Sequence, residues 1–164
     1  MVYSEKEILA IFKILLEKKF VDYHKIISWT DAVIIENELF SDYFIDLSLA
    51  GGKGSSEIMR ILETISNEIH SDLIWKTIYG FLAYQFKIKQ FTLKEACTIA
   101  DNFALDYENL SENYILEGRG LWDVYYFAEN NIYGTFENAE ERFLEVTGKH
   151  EYLWQIFNQK YLNF

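Results

Sequence analysis

Residues 71–90, SDLIWKTIYGFLAYQFKIKQ, carry a helical period but are apolar on more than one face. Ile74, Ile78, Phe81, Leu82 and Phe86 form one stripe, and Leu73, Trp75 and Tyr79 widen it. A surface helix keeps a polar face opposite its apolar stripe. Here only Asp72, Lys76, Thr77, Gln85, Lys87 and Lys89 are left for water, most of them near the ends. This predicts the central helix of a bundle, with the other elements packed around it.

Upstream, Ser4 and Glu7 form a capping box for a first helix running to about Phe20, with Ile8, Ile11, Phe12, Leu15 and Leu16 as its stripe. Asp22 caps a second helix to about Glu38, turning Ile26, Ile27, Trp29, Thr30, Val33 and Ile34 inward and Lys25, Asp31 and Glu36 toward water. The run YFIDLSLA after Ser41 and Asp42 is legible by period as helix or short strand; its helical neighbours decide for helix. Gly51, Gly52 and Gly54 then precede a helix capped by Ser55 or Ser56 and striped by Ile58, Ile61, Leu62 and Ile65.

Downstream, Thr92 and Glu95 repeat the capping box ahead of Leu93, Ala96, Cys97, Ile99, Ala100 and Phe103, whose small members permit close helix contact. Over residues 109–120 the period weakens, with Gly118 and Gly120 flanking Arg119, which predicts the longest irregular segment; a short aromatic helix resumes over 121–129. Thr135 caps FENAEERFLEVT, Gly148 closes it, and a last helix turns Tyr152, Leu153, Ile156, Phe157 and Tyr161 inward. The fold class is therefore all-α: a single-domain bundle of seven or eight helices over residues 1–164, around the central apolar helix at 71–90.

Composition supports this reading. Half of the 164 residues are hydrophobic and 18% are aromatic, far from a disordered chain. There is no proline to break helices and there are only eight glycines for turns. A single cysteine, Cys97, leaves no internal disulfide and no metal knuckle, and suits a reducing cytoplasm. The first twenty residues place Glu7, Lys13 and Glu17 among the hydrophobics and read as mature sequence, not a signal peptide. No window reaches the ~20 consecutive apolar residues of a membrane helix.

The formal charge of −11 is unevenly spread. Residues 101–147 hold 11 acids and 2 bases, whereas residues 1–100 are nearly balanced, with 14 acids and 11 bases. Such a field repels nucleic acid and anionic membranes and attracts basic partners.

No residue pattern in the sequence points to bond-making chemistry. The segment GGKGSS at 51–56 places Lys53 before Gly54 and follows a helical stretch, whereas a phosphate loop follows a strand and puts lysine after its last glycine. His24, His70 and His150 have no Glu or His three or four residues away, so the ligand pairs of metal bundles are missing. Cys97 lies in an apolar stripe, where a thiol is inert. The expectation is a non-enzymatic chain with no cofactor and no metal.

What remains is the acidic block, in which Tyr107, Tyr114, Trp122, Tyr125, Tyr126, Phe127 and Tyr133 alternate with carboxylates. Rings supply desolvated anchors and acids supply steering, the composition of a protein-binding face. Its candidate contact residues are Asp123, Tyr125, Tyr126, Glu129, Glu137, Glu140 and Glu141. The partner expected is a basic protein. A solvated acidic face over an aromatic core, an adaptor module or homodimer, and a bundle binding an apolar small molecule stay open at this point.

Residues Trp29-Thr-Asp31, then Tyr43-Phe-Ile-Asp46-Leu-Ser-Leu49, then a glycine-bearing loop and an amphipathic helix resemble the front half of small helical bacterial proteins. Some of these are immunity proteins of polymorphic or contact-dependent toxin systems, and others are uncharacterised relatives. The resemblance covers about a third of the chain, and it implies a protein that binds a cognate toxin, often a basic nuclease, and blocks its active site or substrate path.

Overall fold

A computed structural model describes residues 3–66, 71–106 and 112–163. These form α1 (Glu5–Glu17), α2 (Tyr23–Glu36), α3 (Asp42–Ala50), α4 (Ser55–Ser66), α5 (Asp72–Lys87), α6 (Leu93–Asp106), α7 (Glu112–Glu129), α8 (Phe136–Thr147) and α9 (Glu151–Phe157). The protein is all-α: eight of these helices have nine residues or more, the ninth has seven, and no strand occurs among the described residues.

Local chemistry sets most helix starts. Ser4 accepts from the Glu7 N–H at 3.3 Å while the Glu7 carboxylate accepts from the Ser4 N–H at 2.8 Å, and Thr92 with Glu95 repeats this at 3.2 and 2.7 Å. Asp22 caps α2 by accepting from the His24 N–H, and Thr135 pairs reciprocally with Asn138 to start α8. The run YFIDLSLA is helix, inside α3. The start of α4 falls not on a serine cap but on Gly54, whose carbonyl accepts from Ile58 and whose φ of +88° suits glycine alone.

Three helix ends use a device that a search for glycine does not find. Lys19, Lys89 and Asn131 hold φ of 60°, 61° and 52°. In each case the next N–H reaches back five residues, Phe20 to Leu15, Gln90 to Gln85 and Ile132 to Phe127, and the left-handed residue bonds three back, to Leu16, Phe86 and Ala128. These are Schellman caps with a side chain where glycine usually sits. Gly148, by contrast, stays right-handed at φ −64° and leads into a 3₁₀ turn, Gly148–His150.

The chain divides into two compact units: residues 1–74 with 157–164, and residues 75–156. The first packs α1 against α4 and α2 against α3. Its centre is a run of aromatic edges, in which Phe12 meets Trp29 at 5.3 Å and Phe157 at 5.5 Å, Trp29 meets Phe44 at 5.6 Å, and Tyr3 meets Phe157 at 5.5 Å. The Glu7 carboxylate also accepts from Ser71 Oγ at 2.5 Å, and Tyr43 Oη donates to Glu5 at 2.9 Å, tying α3 to α1.

In the second unit α5 is central. Trp75 touches Phe103 of α6, Tyr79 touches Tyr114 of α7, Phe86 touches Phe143 of α8 and Phe81 touches Trp154 of α9, at 4.8–6.3 Å between ring centroids. Seven consecutive residues, 77–83, are buried, so two full turns are covered on every side. Thr77, expected in water, is one of them.

Two further expectations are corrected. The segment 109–120 is not irregular where it is described: α7 starts at Glu112 and runs unbroken through Gly118 and Gly120, while 109–111 lie outside the described residues. Gly118 is there because α7 presses on α6, leaving a Cβ only 2.9 Å from the Ala100 carbonyl oxygen. In the last helix Tyr152 is exposed and Trp154 is buried, because the buried stripe of α9 runs through Leu153, Trp154 and Phe157; a π-helical turn, Asn158–Leu162, follows and buries both Tyr161 and Leu162.

Candidate functional site

The acidic aromatic face of the second unit is built at the corner where α7 turns into α8. The Asn131 cap sends Ile132 back over the carbonyl of Phe127 at 2.9 Å, and the Tyr133 N–H shares that acceptor at 3.4 Å. Gly134, at φ +75°, then turns the chain into the Thr135–Asn138 capping box. One end of the corner is thus held by backbone bonds and the other by a reciprocal capping box. Phe127, Ile132 and Phe136 are exposed, and Tyr133 is 81% exposed. A hollow of about 390 Å³ opens here, lined by Val124, Phe127, Tyr133, Gly134 and Asn138.

The carboxylates are arranged around this corner. Asp123 precedes Phe127 by one helical turn on α7, and Glu137 and Glu141 lie on either side of Asn138 on α8, with Glu140 beside them. All four are exposed. The Glu137 carboxyl is held below the usual range by its own backbone N–H and the Thr135 hydroxyl, both of which reward the ionised form. Asp101 goes the other way: burial raises it, and the Asp123 charge adds to that against the pull of Arg119 at 3.9 Å. The nearest base on α8, Arg142, is paired with Glu145 at 2.7 Å.

Two predicted contact residues sit differently from the rest. The Tyr125 ring is buried, stacked on Trp122 at 5.8 Å and packed on Phe136 at 5.7 Å. Its hydroxyl donates to Glu129 at 3.2 Å, and Lys94 of α6 donates to the same oxygen at 2.7 Å. Lys94 lowers the Glu129 pKa, while burial and then Glu129 raise that of Tyr125. Glu129 is therefore neutralised within the unit and faces α6, whereas Asp123, Tyr126, Glu137, Glu140 and Glu141 present outward. Tyr126 is exposed beside Trp122, at 6.3 Å. Ile132 and Phe136 join the surface although the aromatic and acidic pattern does not single them out; the signal for Ile132 is the Asn-Asn and Gly-Thr turn chemistry on either side of it at 130–135, and Phe136 is the first residue of α8.

Elsewhere the described residues offer little chemistry. Cys97 is buried and its thiol is pushed up to about 12 by desolvation. No group of three His, Cys, Asp or Glu among the described residues is placed to hold a metal ion, and none of the described helices is long and apolar enough to cross a membrane. His70 and Tyr107 lie outside the described residues. The first unit carries a larger open groove of about 860 Å³, whose lining mixes Phe20, Val21 and Met59 with Glu17, Arg60 and Glu63.

No family model, no curated protein and no solved structure matches this chain.

Proposed function

We propose that this chain is a non-enzymatic cytoplasmic protein that binds a basic protein partner through the α7–α8 corner, acting as an immunity or inhibitor protein against a basic toxin. The observation that carries the reading is the juxtaposition of an exposed apolar cluster, Phe127, Ile132, Tyr133 and Phe136, with four exposed carboxylates at 123, 137, 140 and 141. Apolar anchors ringed by one sign of charge favour a partner carrying the opposite sign, with the charges setting the association rate and the anchors the lifetime. The backbone caps hold the corner ready, so little ordering is needed on binding. The resemblance of about a third of the chain, from Trp29 through the helix after the glycine loop, to toxin immunity proteins points the same way.

The test is a pull-down of the tagged protein from its native lysate at low and high salt, followed by kinetics with the retained partner. A basic protein is expected whose association slows at least tenfold at low salt when Glu137, Glu140 and Glu141 are changed to Lys, and whose dissociation quickens with Tyr133→Ala. An unchanged association rate would remove this surface from the interaction. Recovery of the protein alone as a dimer would favour self-association through the same exposed rings.

A further inference from the structure

We propose that the outer seam of the α2–α3 hairpin, in the first unit, is a separate docking surface whose occupant is a basic amphipathic segment of a partner protein. The three most exposed aliphatic side chains of the described residues lie there, Leu39 at 92%, Ile35 at 82% and Leu49 at 71%, and Ile45 joins them at 43%. Single exposed apolar residues need no explanation, but a contiguous strip does.

Contiguity follows from one hydrogen bond. Ser48 Oγ of α3 donates to Asp31 Oδ1 of α2 at 2.5 Å, which places these two positions face to face across the seam. One turn nearer the connecting loop on each helix come Ile35, four residues after Asp31, and Ile45, three residues before Ser48. Leu39 lies in the short loop that joins them, and Leu49 is one turn beyond Ile45 on the same face of α3. The bond from Tyr43 Oη to Glu5 holds the hairpin to α1, so the strip is displayed on a fixed base.

The occupant's charge follows from what flanks the strip. Between Lys25 and Lys53 there is no base, and there are five acids, Asp31, Glu36, Glu38, Asp42 and Asp46. Glu36, Glu38, Asp42 and Asp46 are exposed, and on α3 Asp42 and Asp46 stand one turn before Ile45 and Leu49 respectively. Arg60 of α4 feels the Asp46 charge, which leaves Glu36, Glu38 and Asp42 as the carboxylates that a neutral partner would bury without compensation, and a second copy would set acids against acids. An anionic membrane or a nucleic acid is repelled. A helix with apolar residues at every third and fourth position and Lys or Arg on its flanks satisfies both requirements. None of these residues belongs to the α7–α8 corner, so the inference stands apart from the function proposed above.

The test uses the full chain, isotope-labelled for NMR, titrated with a synthetic 14-residue Leu/Lys amphipathic helix, a matched Leu/Glu helix and a Ser/Lys peptide. The Leu/Lys helix is expected to shift the amides of residues 35–49 saturably, and Leu39→Ser with Leu49→Ser is expected to weaken that binding about tenfold while leaving the thermal midpoint in place. Tyr133→Ser, at the other surface, is expected to leave the 35–49 response unchanged. Shifts confined to other residues, or equal shifts with the Ser/Lys peptide, overturn the proposal. So does a dimer in sedimentation that the Leu39→Ser/Leu49→Ser variant dissolves, since the occupant would then be a second copy.

Discussion

Gly80 of α5 lies against the main chain of His150: a Cβ on residue 80 would sit 2.3 Å from the His150 carbonyl oxygen and 2.8 Å from its carbonyl carbon. The missing side chain is what lets the 3₁₀ turn before α9 seat on the buried helix. Since the obstacle is backbone, no rotamer change relieves it.

Gly80→Ala is therefore expected to destabilise the protein by ~3 kcal/mol. Gly118→Ala, which meets the Ala100 carbonyl at 2.9 Å, is expected to do so somewhat less. Gly120→Ala, on the same helix as Gly118 with nothing within 4 Å, is expected to stabilise by about 0.5–1 kcal/mol through helix propensity. Urea unfolding of the three variants checks the order.

Lys19 and Lys89 hold left-handed backbone at helix ends, where a Cβ is strained. Lys19→Gly and Lys89→Gly are each expected to raise stability by up to about 1 kcal/mol, the relief of strain exceeding the added freedom of the unfolded chain. Lys89→Val is expected to lower the melting temperature instead.

Burial, and then the positive charges of Lys149 and Lys76, push the His150 imidazole down to about 4 from an ordinary value of 6.5. Above pH 6.5 the ring is neutral folded and unfolded alike, so its full contribution is present. As pH falls from 6.5 toward 4 the unfolded chain takes up a proton that the folded one refuses, and stability drops. His150→Gln is expected to flatten the upper part of this slope, between pH 6.5 and 5, before the carboxylates titrate; denaturant midpoints across that range measure it.

The Cys97 thiol, buried and pushed up to about 12, is expected to react with a thiol-directed disulfide reagent orders of magnitude more slowly at pH 8 in the folded protein than in 6 M guanidinium. Comparable rates in both would place Cys97 at the surface.

The sequence by itself determined the helical class, most helix starts and the charge of the α7–α8 face, because each rests on short-range chemistry. Ser4 with Glu7, Thr92 with Glu95, and Thr135 ahead of FENAEERFLEVT place α1, α6 and α8 within a residue or two. The absence of proline and the acids of 101–147 need no fold to be read. Only the tertiary structure decided which apolar side chains are left outside. Tyr125 and Phe127 stand two residues apart on one aromatic helix, yet Tyr125 is sealed under Trp122 and Phe136 while Phe127 opens onto the hollow. The same holds for the glycines: Gly118 and Gly120 look like loop signals until α6 is laid against α7, when one proves to be a packing surface and the other open helix. Period and propensity report a residue's angle about its own helix, whereas exposure depends on what the neighbouring helix, distant in sequence, places over that angle.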